Sequence, residues 1–215
     1  MSGIVGSSHN IRGSGIVAKL GTDGQVFTSA GAGVKQTFED AAGGGAWNFL
    51  SKQTASDDDL LEWNSDITST YDVYKLFCSN ALCDTDQVQV YIQLRQSDSY
   101  LTSSYRWGTG RVRDDGAVYA HGSTSSSFIR ITDDFTGTGT GETWNFEITF
   151  WDLLGTANYS QIHWNGTTIN QDARLHSEMG AGAIDDVGAM DGFKIYPSSG
   201  NIASGEFSLF GLSQS

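Results

Sequence analysis

Apolar and polar positions alternate along much of the chain that follows Trp47. Successive side chains of a β-strand point to opposite faces, so a period of two predicts strands that are buried on one side only. Trp151 falls on the polar face of one such stretch. The apolar positions of the two clearest stretches are Val88, Val90, Ile92 and Leu94 in 87–95, and Trp144, Phe146, Ile148 and Phe150 in 144–151.

Shorter alternating runs are separated by turn signals, and no stretch carries the apolar stripe of an amphipathic helix. About eight short strands joined by turns predict an all-β fold, an antiparallel β-sandwich or jelly roll. The shorter runs lie at 60–63, 71–78, 127–132, 159–164, 192–196 and 206–212, and the turn signals are Asp115-Gly116, the glycine-rich 137–141, Asn165-Gly166 and 198–201.

Residues 1–45 have a different composition, rich in glycine, alanine and serine and without tryptophan or tyrosine. Their apolar side chains are too widely spaced to close a core, so this segment is expected to order only against a partner. We therefore expect an extended, glycine-rich N-terminal arm (1–45) for attachment and oligomerisation, followed by a β-sandwich domain (46–215). The arm residues expected to make these contacts are Ile11, Ile16, Val17, Leu20, Val26, Phe27, Val34 and Phe38.

The net charge of −13 and the scattered basic residues argue against nucleic-acid binding, which needs clustered lysine and arginine. The first ten residues lack a signal-peptide pattern and no apolar run is long enough to span a membrane, so we expect synthesis in a cytoplasm without membrane insertion. Cys78 and Cys83 have no nearby histidine to complete a metal site. Two reduced thiols and a small disulfide-closed loop both remain open for them.

No catalytic constellation is evident. His9 lies in the arm, His163 is a packing or rim residue of a predicted strand, and His121 and His176 fall in polar stretches without a nucleophile motif. The paired aspartates are numerous and mostly loop-borne, which favours solvated turns over glycoside hydrolysis or calcium binding. We expect no enzyme activity, no cofactor and no metal. These aspartates are Asp57-Asp58-Asp59, Asp84 and Asp86, Asp114-Asp115, Asp133-Asp134, and Asp185-Asp186.

Four aromatic residues lie in a stretch rich in serine, glycine and aspartate: Tyr100, Tyr105, Trp107 and Tyr119. Exposed rings beside hydrogen-bonding side chains can stack on a sugar or anchor a protein interface. These residues are the candidate receptor or interface contacts. The structural alternative is that they cap the ends of the core.

Two segments resemble known proteins: Gly13-Ser-Gly-Ile-Val-Ala-Lys-Leu-Gly-Thr-Asp-Gly-Gln-Val-Phe-Thr-Ser-Ala-Gly-Ala-Gly33 and Gly192-Phe-Lys-Ile-Tyr-Pro-Ser-Ser-Gly-Asn-Ile-Ala-Ser-Gly-Glu-Phe-Ser-Leu-Phe-Gly211. The first resembles the arm, and the second the last two sandwich strands, of tail-fibre and related virion surface proteins of marine tailed bacteriophages. The resemblance implies a homotrimer on the virion, with the arm docked to another virion protein of the tail or capsid and the sandwich facing outward. It carries over no catalytic residue.

Together these observations predict a non-enzymatic virion structural protein. The first hypothesis is a short tail fibre or fibre-tip protein that contacts a host cell-surface glycan or protein. The alternative is a head decoration (cement) protein, and a weaker alternative is a polysaccharide-degrading tail enzyme.

Overall fold

The computed structural model describes residues 47–133 and 136–212, together with the backbone of 25–28 and 37–40. The chain divides into two units, Met1–Ala46 and Trp47–Ser215. In the first unit, β1 (Gln25–Thr28) pairs antiparallel with β2 (Thr37–Asp40), and Phe27 lies opposite Phe38. Val26 belongs to β1. The role of the arm in attachment and oligomerisation stays a prediction. The other residues predicted for it lie outside the described residues: Ile11, Ile16, Val17, Leu20 and Val34.

The second unit is built on a large antiparallel sheet of eight strands. Its central strands follow the alternation of apolar and polar positions, with one face buried and the other in solvent. In spatial order the strands are β3 (Trp47–Ala55), β15 (Ile202–Leu212), β5 (Val73–Cys83), β11 (Trp144–Trp151), β12 (Gln161–Ile169), β13 (Leu175–Ile184), β8 (Tyr105–Arg113) and β9 (Val118–Ser126).

A smaller antiparallel sheet of five strands covers part of the buried face. Its strands are shorter than those of the large sheet, and the fifth strand pairs with one of the other four without continuing their order. The spatial order is β10 (Ile129–Arg130), β6 (Val90–Gln96), β14 (Gly192–Pro197) and β4 (Leu61–Trp63), and β7 (Ser99–Tyr100) pairs with β6.

The core lies between the two sheets and is rich in aromatic rings. Phe193 of the small sheet stacks on Trp63 at 4.9 Å and on Phe150 of the large sheet at 4.2 Å between ring centroids. Trp144 meets Phe207 edge-on at 5.7 Å. Each large apolar side chain that becomes fully buried stabilises the fold by about 1.5–3 kcal/mol. The predicted all-β, antiparallel sandwich is confirmed.

The alternating stretches form strands as predicted, and the four apolar positions of 144–151 are buried. One turn prediction is wrong, because Asn165-Gly166 lies in the middle of β12. Gly166 lies opposite Phe146 on β11, and a Cβ at position 166 would come within 2.8 Å of the Phe146 Cα. The glycine therefore permits close approach of two strands. Asp115-Gly116 does form the predicted turn, and the positive φ of Gly116, 85°, suits glycine.

Three strands had no clear sequence signal: β8, β9 and β13. The interpretation of His121 and His176 as loop residues is therefore wrong, because His121 lies in β9 and His176 in β13. Both strands are rich in glycine, alanine and serine, so few large apolar residues mark a buried face.

Cys78 and Cys83 both lie in β5 with buried, free thiols. Burial raises the pKa of both thiols above the ordinary value. Within the described ranges no helix is long and apolar enough to cross a membrane.

Candidate functional site

The solvent-facing side of the large sheet has two chemically different halves. On the β3, β15 and β5 side, aromatic rings are exposed, and Phe210 meets Phe49 at 5.6 Å and Phe77 at 5.7 Å. On the β12, β13 and β8 side, small residues face the solvent near one end of the strands: Gly108 lies opposite Ala181, and Ala183 opposite Arg106. Farther along β13, the larger side chains of Leu175 and Met179 are exposed. The small side chains keep their end of this half flat and let a ligand approach the backbone.

An open groove with a volume of about 430 Å³ lies on the flat half. Trp151 stands at the boundary between this groove and the aromatic half, and the residue is 48% exposed. Gln161 lies opposite Trp151 in the neighbouring strand, and His163 lies opposite Ala181. The lining residues are Arg106, Trp107, Gly108, Ser123, Trp151, Gln161, Ile162, His163, Ala181, Gly182 and Ala183.

The groove combines an apolar wall with hydrogen-bonding side chains. The indole ring of Trp151 provides a flat apolar surface, whereas the amide of Gln161 and the imidazole of His163 offer donors and acceptors. The guanidinium of Arg106 pairs with the carboxylate of Asp185. This ion pair holds the Arg106 side chain at the β8 side of the groove, away from Trp151. An apolar surface with a few fixed polar groups is the usual composition of a small-ligand site.

The four aromatic residues proposed as contacts do not form one surface. Tyr105 is fully buried, and its hydroxyl accepts a hydrogen bond from the backbone N–H of Leu94 at 2.8 Å. Its side chain is therefore inaccessible to a surface partner. Trp107 borders the groove, but its ring packs against the core, 5.9 Å from the Arg130 guanidinium.

The remaining two, Tyr100 and Tyr119, are half-buried on different sheets. The Tyr100 hydroxyl donates to the side-chain oxygen of Asn64 at 2.8 Å in the small sheet. Tyr119 belongs to β9 of the large sheet, where the guanidinium of Arg111 lies 4.3 Å from its ring centroid. Both rings thus have intramolecular partners.

A polar cluster lies against the other face of β13, β8 and β9, and all of its members except the half-exposed His121 are buried or nearly so. The carboxylate of Asp133 is fully buried, and His121 approaches it through Nδ1 at 2.6 Å. The backbone N–H of Asp133 donates to Glu178, and the guanidinium of Arg111 lies 3.5 Å from the Asp133 carboxylate. Asp133 is therefore an exception to the expectation that the paired aspartates form solvated turns.

Burial dominates the electrostatics of this cluster. It raises the pKa of Glu178 to about 7, and the nearby carboxylate of Asp133 adds to the rise. The hydrogen bond from the Asp133 backbone opposes it. No serine, threonine or cysteine of 47–133 or 136–212 is hydrogen-bonded to the imidazole of His121, so the described cluster does not assemble the nucleophile of a triad.

In the part of the chain that the structure describes, no group of three or more histidine, cysteine, aspartate or glutamate side chains is arranged to hold a metal ion. The paired aspartates instead make local contacts. Asp84, for example, accepts from the backbone N–H of Asn201 at 2.8 Å, which holds the pKa of its carboxyl below the ordinary value.

Sequence reasoning missed most of the groove. The alternation in 144–151 correctly predicts Trp151 on the outward face of its strand. His163, predicted as a packing or rim residue of a strand, lies on the exposed face of β12. Nothing in the sequence linked these residues to Arg106 or Ala181. An exposed tryptophan within a strand was the one available signal.

The fold and the groove define an all-β sandwich protein with an open ligand-sized depression on one sheet. No protein-family model matches the chain, and no curated protein matches it. Two solved structures are weakly similar: the infectious bursal disease virus VP2 subviral particle, with 11% identity over 87% of this chain and 46% of that chain and a TM-score of 0.15, and infectious bursal disease virus Gx strain, with 13% identity over 88% and 45% and a TM-score of 0.14. The chain spans about half the length of these two chains, and TM-scores this low say nothing about its topology or function.

Proposed function

We propose that the chain is a surface protein of a tailed-phage particle, a short tail fibre or fibre-tip protein, that binds a host-surface glycan without cleaving it. The observation that carries the glycan-binding part is the half-exposed ring of Trp151 beside a flat floor and flanked by Gln161 and His163. The particle assignment is supported by the sequence resemblance of 13–33 and 192–211 to virion surface proteins.

The chemistry of the groove suits a sugar. A pyranose ring has one face of C–H groups, which packs on an aromatic ring, and a rim of hydroxyls, which need hydrogen-bond partners. Trp151 supplies the ring, and Gln161 and His163 supply partners that both donate and accept. The floor at Gly108 leaves room for a ligand, because a Cβ there would meet no atom within 4 Å.

A groove suited to a glycan favours the fibre hypothesis over the decoration protein, since a protein that clamps capsomers needs no glycan-binding site. The polysaccharide-degrading alternative needs a carboxylate pair that reaches the bound glycan. Among the described residues that line the groove there is no aspartate or glutamate. Binding without cleavage is therefore the function that this groove supports best.

The binding test uses the full chain and purified host envelope polysaccharide in isothermal titration calorimetry. We expect Trp151→Ala to weaken binding about tenfold, the effect of losing one stacked ring. Trp151→Phe keeps an aromatic face and should stay within about threefold of the original affinity. The melting temperature serves as the control, because the exposed ring contributes little to the core.

Two outcomes would overturn the proposal. Equal binding by the original protein and Trp151→Ala would place the glycan elsewhere or nowhere on the chain. Release of reducing ends during the incubation would replace the binding protein by an enzyme.

A further inference from the structure

The strand register shows how long the groove is. Its lining residues come from five consecutive strands of the large sheet: Trp151 on β11, 161–163 on β12, 181–183 on β13, 106–108 on β8 and Ser123 on β9. Neighbouring strands lie about 4.8 Å apart, so four steps between five strands give a length of about 19 Å. The groove runs across the strands.

The same register shows how wide the groove is. On each of the three central strands the lining covers three consecutive residues, 161–163, 181–183 and 106–108. Two residue steps along a strand measure about 7 Å. The groove is thus a trough nearly three times as long as it is wide, which accommodates a linear chain one ring wide.

Charge restricts the kind of chain that enters. Among the described lining residues there is no lysine, aspartate or glutamate, and Arg106 is the one arginine. Its guanidinium pairs with Asp185. The protein as a whole carries a formal charge of −13. A polyanion would be repelled by this field and would find no free arginine or lysine in the trough.

We propose that the trough binds a neutral, linear oligosaccharide of about four rings that lies across the strands from β11 to β9, since one pyranose ring covers about one strand spacing of ~4.8 Å. This rests on the proposed glycan-binding function. Trp151 holds the ring at the β11 end, and the fourth ring lies over Gly108 and the β8–β9 pair, where Trp107 lies opposite Ser123.

The test measures affinity against chain length. Neutral fragments of host envelope polysaccharide with two to six rings are titrated into the full chain by calorimetry. We expect the association constant to rise at least about tenfold from two to four rings, and by less than about twofold from four to six. The same fragments with primary hydroxyls oxidised to carboxylates should bind at least about tenfold more weakly at low salt, and the gap should narrow as salt is raised.

A pair of variants tests the position of the chain. Gly108→Leu places a bulky side chain in the trough at β8, where an added Cβ meets no atom within 4 Å. We expect this variant to reach its maximal affinity with about three rings, since each ring covers about one strand spacing and the fourth ring lies over Gly108. Ala120→Leu is the matched control, because Ala120 is exposed on the neighbouring β9 but does not line the groove. We expect the affinity of this variant still to be maximal with about four rings.

The outcomes separate this inference from the function on which it rests. Affinity that stops rising at two rings in the original protein, or still rises at six, would overturn the length of the trough. If the carboxylated and the neutral fragments bound with equal affinity, the inference that the ligand is neutral would be wrong. Failure of every fragment and of the intact polysaccharide to bind would remove the glycan function itself.

Discussion

At the scale of single residues, burial of Glu178 moves its titration into the neutral range. Its carboxyl is buried between the sheet and the 132–133 segment, where it accepts from the backbone N–H of Asp133. Ionisation there places a second negative charge beside the buried Asp133 carboxylate, partly offset by the Arg111 guanidinium. The folded protein therefore prefers Glu178 protonated at a pH where an exposed glutamate is ionised.

This preference predicts how stability depends on pH. Because folding raises the pKa of Glu178 from 4.5 to about 7, the folded state binds more protons than the unfolded chain between these values. The free energy of unfolding contributed by this group is present below about pH 4.5 and is lost as the pH rises to about 7, by an amount on the order of 3 kcal/mol. Urea unfolding from pH 4.5 to 8 measures it.

The variant Glu178→Gln isolates this contribution from other groups that titrate in the same window. We expect the difference in unfolding free energy between the original protein and the variant to change with pH in the stated direction. Parallel profiles for the two proteins would show that Glu178 does not titrate differently in the folded state.

At the scale of secondary-structure elements, glycines have two opposite roles in the large sheet. Gly166 lies inside β12, where a Cβ would come within 2.8 Å of the Phe146 Cα and closer still to the carbonyl oxygen of Asn145. Those atoms belong to the backbone of β11 and cannot rotate away. Gly108, in contrast, faces open space and keeps the floor of the groove flat.

This contrast gives a matched pair of substitutions. Gly166→Ala should push β11 and β12 apart and lower the unfolding free energy by about 1–3 kcal/mol. Gly108→Ala meets no atom and should change it by less than about 0.5 kcal/mol. Urea denaturation followed by tryptophan fluorescence measures both, and equal losses in the two variants would contradict the packing argument.

At the scale of the whole molecule, the second unit has an extensive core of its own. The described core residues run from Ala55 to Leu209 and form one cluster between the two sheets. Among these described residues, the largest buried side chains are the tryptophans Trp63, Trp144 and Trp164. An acidic chain with a trough on an exposed sheet face is what the proposed role on the outside of a particle requires.

The location on the particle can be measured directly. The proposed role as a tail fibre predicts that the chain follows the tail fraction after shearing, at a copy number on the order of tens per particle. Quantitative mass spectrometry of tail and head fractions gives the answer. Hundreds of copies that remain with DNA-filled heads would identify a decoration protein instead.

Alternation along the chain is enough to predict the all-β sandwich and the direction of the side chains in its clearest strands. The alternation in 144–151 placed Trp144 and Phe150 inside and Trp151 outside, because a period of two is a local property of the backbone. It did not reveal β8, β9 or β13, whose small residues carry little apolar signal and whose place is set by pairing with neighbours. Only the tertiary structure brought Trp151, His163 and Arg106 to one trough and buried Glu178 beside Asp133, since both sites join strands that are distant along the chain.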